Sequence, residues 1–294
     1  MKLYAPAYYK RFKCIADRCD HSCCIGWEID VDENTLAKYQ ALKSPYGAVI
    51  QSSISMDGTP HFVLGDRNRC PHLDERGLCR IITNEGEACL CDICRQHPRF
   101  YNYTSVAEVG LGISCREAAR ILLSSPDYAV LECVGDVAAE ADGIDFDGRV
   151  PRSQLYATLQ DTERPYAERL DTIYRAYAID AGEDGEWLAR LDALEYLAPA
   201  HRTLFLTYSS GRRPNGADAY LERFLAYLIY RHCTEAIDGR DFGDRLAFCL
   251  FCERLLASLI YSENAQSLQE VAVLASIVSE EIEYSDDNTF ALMD

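Results

Sequence analysis

Ten of this chain's fourteen cysteines fall at or before Cys115, and four of them sit in the eleven residues CIADRCDHSCC, Cys14 to Cys24. The opening stretch MKLYAPAYYKRFKC lacks the continuous apolar run and small-residue cleavage site of a secretory signal. A cytoplasmic, reducing setting is therefore expected, in which gathered thiols serve metal or catalysis and do not persist as disulfides. The candidate ligands, in order, are Cys14, Cys19, Cys23 and Cys24, then Cys70, Cys79, Cys91 and Cys94, and last Cys115. A tetrahedral zinc site uses only four ligands, so either two sites exist or one site has thiols in reserve.

Only Cys91 and Cys94 show the two-residue gap that lets one turn face one ion. Iron–sulfur clusters tolerate irregular gaps, so the spacing leans toward iron–sulfur and leaves zinc open. Arg95 and Arg99 are placed to offset the charge of a thiolate-bound cluster. His21, His72 and His97 read as neighbours that hydrogen-bond a metal site. Cys133, Cys233, Cys249 and Cys252 lie in apolar surroundings and read as small core residues.

Charge divides the chain. Up to Asp127 there are 15 Lys and Arg against 16 Asp and Glu; beyond it, 14 against 31. A surface so acidic repels nucleic-acid phosphates and serves solubility. The longest apolar segment, Leu246–Tyr261, carries Glu253 and Arg254 and reads as a core helix, not a membrane span.

Local patterns predict a mainly α chain: a cysteine-rich, metal-binding N-terminal domain with short strands (residues 1–127), packed on a C-terminal helical bundle (128–294). Asp32 is placed to cap a helix carrying Leu36, Tyr39 and Leu42. Residues 44–69 predict a small hairpin turning at MDGTP. Ser114-Cys115-Arg116-Glu117 fits a capping box ahead of AARILLSS, which puts Cys115 in a first helical turn, where the thiolate is favoured. From Tyr128 on, apolar residues recur every three or four positions. The loop 141–151 and the stretch SSGRRPNGAD separate helices. Gly110-Leu111-Gly112 reads as a strand bend; no strand, glycine-rich turn and helix with a downstream acid marks a doubly wound nucleotide fold.

Taken together, several motifs resemble the flagellin lysine N-methylase family, part of a broader cysteine-cluster group of zinc or iron chelators. They are Phe12 and Cys14 with Cys19, Cys23, Cys24 and Gly26-Trp27-Glu28-Ile29-Asp30; Cys70-Pro71-His72-Leu73; Leu78-Cys79-Arg80-Ile81; Gly86-Glu87 before Cys91, Cys94, Arg95, Pro98 and Arg99; and Ser114 to Arg120. They cover about the first 125 residues, and a weaker likeness runs through YLERFLAYLIYRH to Tyr284–Asn288. The family often has proline where this chain has Arg116; the cap should survive the exchange.

The resemblance implies methyl transfer from S-adenosylmethionine to lysine amines of flagellin, with a cysteine-bound metal centre of the [4Fe–4S] kind. An iron with an open position is one way to hold the cofactor's amino and carboxylate groups. The sequence identifies no catalytic or cofactor-binding residue: Asp20, Glu28 and Asp30 are near the first thiols, but an exposed charge or a cap is their ordinary role. The alternative class is a metal-binding or redox-sensing interaction module without transferase activity, or a zinc-stabilised adaptor.

Overall fold

In chain order the strands of the computed structural model, which describes residues 1–140 and 143–293, are β1 (Lys2–Pro6), β2 (Ile54–Ser55), β3 (His61–Phe62), β4 (Arg99–Tyr103), β5 (Ala107–Leu111) and β6 (Leu131–Asp136). The helices are α1 (Glu33–Ala41), α2 (Pro45–Ser52), α3 (Arg80–Glu85), α4 (Asp92–Gln96), α5 (Arg116–Leu123), α6 (Arg149–Leu159), α7 (Tyr166–Ala176), α8 (Asp184–Ala193), α9 (Pro199–Phe205), α10 (Asp218–His232), α11 (Gly239–Ser262), α12 (Leu268–Val278) and α13 (Asp286–Met293). A π-helical turn, Ser279–Glu283, follows α12. The chain is mainly helical, as expected. It divides into one unit of Met1–Phe12 with Arg99–Asp294, and a second of Lys13–Pro98. In that division the first strand and residues 99–127 fall with the long helices.

In the larger unit the sheet order is β4-β5-β1-β6. β1 runs parallel to β5, with Leu3 opposite Ala107, and antiparallel to β6, with Ala5 opposite Glu132. The expectation of helix throughout from Tyr128 is corrected here, since Leu131–Asp136 is a strand. Its residues are half-buried or exposed, and Cys133, expected in the core, is exposed. β5 is buried along its whole length. Gly110 lies within it because a Cβ there would meet the Phe100 ring at 2.2 Å.

Helices α10 and α11 form the centre of this unit's core, through Phe224, Leu228, Phe248, Phe251 and Leu255. Cys233, Cys249 and Cys252 are buried there, as expected. Asp238 caps α11 by accepting from the Arg240 and Asp241 amides, and Ser267 with Glu270 closes a full capping box on α12. No helix among the described residues is long and apolar enough to cross a membrane. Residues 141 and 142, the start of the loop expected at 141–151, lie outside the described residues.

The capping box expected at Ser114 does not form. Cys115 is the N-cap of α5 and makes no side-chain cap; Ser114 Oγ has no partner among the described residues. With the helix starting one residue later, Glu117 stands at the second helical position and pairs instead with Arg120, at 2.7 and 2.8 Å.

The smaller unit has its own core of Ile29, Val31, Tyr39, Tyr46, Ile50, Phe62, Ile81 and Leu90 together with Cys70 and Cys91. Asp32 caps α1 through the Thr35 amide at 2.9 Å, as expected. β2 and β3 pair in the expected hairpin, with Ile54 opposite Phe62. Helix α2 was not expected, although Ser44 at the N-cap and Pro45 just inside are a recognisable helix start; Ser44 Oγ accepts from the Gly47 amide at 2.9 Å.

Candidate metal centre

The thiols of the smaller unit are gathered by backbone bonds between segments far apart in sequence. The Cys70 amide donates to the Cys24 carbonyl at 2.8 Å, and the Gly26 amide to the Asn68 carbonyl at 3.0 Å. Gly26 sits at φ +92°, a left-handed conformation that only glycine adopts without strain. These bonds lay the end of CIADRCDHSCC along the strand entering Cys70. Asp74 then accepts from the Arg76 and Leu78 amides, at 2.9 and 2.8 Å. The resulting turn pairs Leu73 with Cys79 as an isolated β-bridge.

Two helix starts place further thiols. Cys79 is the N-cap of α3 and Cys91 the N-cap of α4. The second carboxylate oxygen of Asp32 accepts from the Asp92 amide at 2.8 Å, so one aspartate sets the start of both α1 and α4. Backbone N–H groups point at three sulfurs: that of His72 at Cys70, those of Ile81 and Ile82 at Cys79, and that of Cys94 at Cys91. Each favours a thiolate.

Five thiols, those of Cys24, Cys70, Cys79, Cys91 and Cys94, lie within electrostatic reach of one another. Burial pushes the Cys70 thiol up to about 12 and raises Cys79. The Cys91 and Cys94 sulfurs share one proton: Cys94 donates it and is raised, and Cys91 is lowered as the anion. A hydrogen bond from Cys23, helped by Ser22 and the charge of Arg69, draws Cys24 down to about 7.

Two residues outside the expected ligand set belong to this cluster. Cys89 is half-buried against the same core, and Tyr39 is fully buried with the thiols of Cys91, Cys94, Cys79 and Cys89 around it. The Tyr39 hydroxyl has no hydrogen-bond partner among the described residues. Arg69, also missed, bonds the Asp74 carbonyl at 2.5 Å. Cys89, two residues before Cys91, is marked by its own thiol; no local signal marks Tyr39 or Arg69, which only the fold brings in.

Other expectations resolve differently. His72 is fully buried, with Nδ1 2.9 Å from the Tyr46 hydroxyl and Nε2 2.9 Å from Ser53 Oγ. Both ring nitrogens are thus engaged, and burial lowers the imidazole to about 4. It braces the core through both ring nitrogens. Arg95 pairs with Asp92, while Arg99 donates to the Tyr9 hydroxyl at 2.9 Å in the other unit. Asp20, Glu28 and Asp30 are exposed, the ordinary role expected of them. Cys14 and Cys23 are exposed and Cys19 is half-buried, and none of them packs against the hydrophobic core that the other thiols of this unit join. Cys115 belongs to the larger unit.

The donor set is chemically suited to zinc or an iron–sulfur cluster: soft thiolates, backbone donors to sulfur, and a buried hydroxyl with nothing yet to donate to. Among the described residues, no three His, Cys, Asp or Glu side chains close on one point as ligands do.

A lysine-N-methylase of Salmonella typhimurium is 30% identical to this chain over 141 residues, which are 43% of this chain and 33% of that protein. A lysine-N-methylase of Salmonella choleraesuis is 29% identical over 141 residues, with the same coverage. The flagellar biosynthetic protein FliU of Salmonella muenchen is 30% identical over 134 residues, 43% of this chain and 79% of FliU. The match thus spans about a third of the length of the two methylases. No protein-family model and no solved structure matches the chain.

Proposed function

The chain belongs to the flagellin lysine N-methylase family, and on that premise we propose that it transfers methyl groups from S-adenosylmethionine to lysine side chains of flagellin or a similar surface protein. The observation that carries the reading is the 30% identity to FliU over 79% of its length, joined by relatives named as lysine-N-methylases. The thiol cluster supports it, because the family resemblance rests on the segments that fold into that cluster.

We propose further that the cysteines hold a [4Fe–4S] cluster. Cys24, Cys70, Cys79, Cys91 and Cys94 would supply its ligands, with Cys89 beside them and Cys14, Cys19 and Cys23 as further candidates from the same unit. When bound, a cluster with an open iron would supply a coordination point for amino and carboxylate groups. The chain's own part is to neutralise and exclude water. Backbone amides at Cys70, Cys79 and Cys91 stabilise sulfur charge, and Arg69 offsets it beside Cys24. Tyr39 and Phe62 close the space with a hydrocarbon wall, their ring centroids 6.1 Å apart.

Methyl transfer forms a bond from the lysine nitrogen to the methyl carbon as the carbon–sulfur bond breaks, with the electron pair leaving on sulfur. The protein must hold a neutral amine in line and accept the proton of a group whose ordinary pKa is about 10.4.

Anaerobic purification, with iron and sulfide analysis, followed by labelled S-adenosylmethionine and flagellin, tests the proposal. Expected are cluster absorption and label on lysine. Label absent from lysine while the cluster is intact would overturn the transferase reading; zinc in place of iron and sulfide would overturn the cluster alone.

A further inference from the structure

In the larger unit, Arg254 on α11 is nine-tenths buried, with 9% of its surface exposed. A buried guanidinium ordinarily has a carboxylate and several acceptors around it, because an arginine can only donate. Arg254 makes no hydrogen bond or ion pair among the described residues, and its Nε is buried and unpartnered. Its neighbour Glu253 is taken, by Arg213 at 2.5 Å and by the Tyr166 hydroxyl at 3.2 Å. The nearby Asp184 is taken as well, by the Ser210 amide at 3.1 Å and Ser209 Oγ at 3.2 Å.

Two more donors are left over beside it. The Tyr208 hydroxyl, on a residue 3% exposed, and the Tyr174 hydroxyl are buried without partners among the described residues. The positive charge of Arg254 reaches both. Aromatic rings wall the place. Trp187 and Phe251 stack at 3.8 Å, the Arg254 guanidinium lies 5.8 and 5.9 Å from their centroids, and Tyr208 meets Phe251 edge-on at 5.6 Å.

Three unpartnered donors carried by α7, the α9–α10 connection and α11 call for one acceptor ligand. We propose that Arg254, Tyr174 and Tyr208 form a binding site for the carboxylate of a small molecule. The acceptor carries a single negative charge, because Asp184 and Glu253 already place two carboxylates in the field of Arg254 and only Glu253 has a second arginine. A dianionic phosphate is disfavoured on the same ground. The exposed edge of Arg254 gives access, and the aromatic walls accept an apolar substituent.

Trp187 is one of two tryptophans in the chain, so the Trp27→Phe protein reports on this site alone. Its fluorescence is titrated with acetate, propionate and inorganic phosphate at fixed ionic strength, and the carboxylate-dependent rise in melting temperature of the otherwise unaltered protein is measured alongside. A saturable response is expected for the carboxylates, with phosphate at least about ten-fold weaker. Arg254→Met, which keeps the apolar stem, should lose the response by more than about ten-fold while its unliganded melting temperature is held or raised. Tyr208→Phe and Tyr174→Phe should each weaken binding about three- to ten-fold. No saturable carboxylate response in the folded protein, as a buried water in the site would give, overturns the proposal. So does a response that survives intact in Arg254→Met, or phosphate binding as well as the carboxylates.

Discussion

The Tyr227 hydroxyl lies 3.1 and 3.0 Å from the two carboxylate oxygens of Glu283, joining the middle of α10 to the π-helical turn after α12. Arg231 donates to the same hydroxyl at 3.0 Å and to the Glu283 carbonyl at 3.2 Å, and His232 Nε2 lies 2.8 Å from the carboxylate. The Tyr227 hydroxyl also accepts from the Ile113 amide at 3.4 Å, just ahead of Cys115. This knot ties Tyr227, Arg231 and His232 of YLERFLAYLIYRH to Ile113 and Glu283, the residues just ahead of Ser114 and Tyr284. Glu283→Ala leaves Arg231 buried without its carboxylate and should cost about 3–5 kcal/mol, against about 1 kcal/mol for Tyr227→Phe. Urea unfolding of both variants measures the difference, and equal losses would count against the Arg231–Glu283 pairing as the main term.

The same knot sets acid sensitivity. Burial lowers the His232 imidazole despite its bond to Glu283. Below about pH 6.5 the unfolded chain therefore takes up a proton that the folded chain refuses. Burial alone would raise Glu283, but Arg231 and His232 outweigh it and hold the carboxylate below its ordinary value. Its contribution is present above the unfolded carboxylate value and is lost as pH falls through the folded one. Both groups act in one direction: stability should fall as pH drops from 7 toward 4. His232→Gln should flatten the upper part of that fall, through about pH 5–6.5, in urea midpoints taken at stepped pH.

The gathered thiols of the smaller unit should separate from the rest by metal content. Single Cys→Ser changes at Cys24, Cys70, Cys79, Cys91 or Cys94 should lower bound iron, whereas Cys133→Ser, on an exposed strand, should not. Cys249→Ser replaces a fully buried thiol with a hydroxyl and should cost stability without changing iron per folded molecule. Iron lost only from the Cys133 and Cys249 variants would overturn the assignment.

Much of the architecture is written locally. Asp32 ahead of Leu36 and Tyr39 announces α1, MDGTP announces the β2–β3 hairpin, and the apolar run around Glu253 announces a core helix. What local reading misses depends on distant partners. β1 is five residues whose parallel partner lies about a hundred residues on, and β6 carries no clean alternation because its faces are exposed or half-buried. The frame of α5 starts one residue later than the capping-box pattern places it, and Glu117 pairs with Arg120 instead of the Ser114 backbone. The cysteines are plain in the sequence, but which of them meet is not. That is decided by the Cys70–Cys24 backbone bond, by Asp32 holding two helix starts, and by Tyr39, an ordinary helix residue until the thiols fold around it.

The two tryptophans allow the consequence of metal loss to be read unit by unit. Trp27 lies in the smaller unit and Trp187 in the larger. The core of the smaller unit includes Cys70 and Cys91 themselves, with Cys24, Cys79, Cys89 and Cys94 packed against it. A metal bound by these thiols in the folded unit adds its binding free energy to that unit's stability. The core of the larger unit, centred on α10 and α11, stands without it. Chelation should therefore lower the unfolding midpoint followed through Trp27, in the Trp187→Phe protein, and leave the midpoint followed through Trp187, in the Trp27→Phe protein, nearly unchanged. Tyr39→Phe, which removes a buried hydroxyl from among the thiols, should keep its metal and shift the thiolate charge-transfer absorption. A Trp27 midpoint indifferent to chelation would show that the gathered thiols fold and stay folded without a metal.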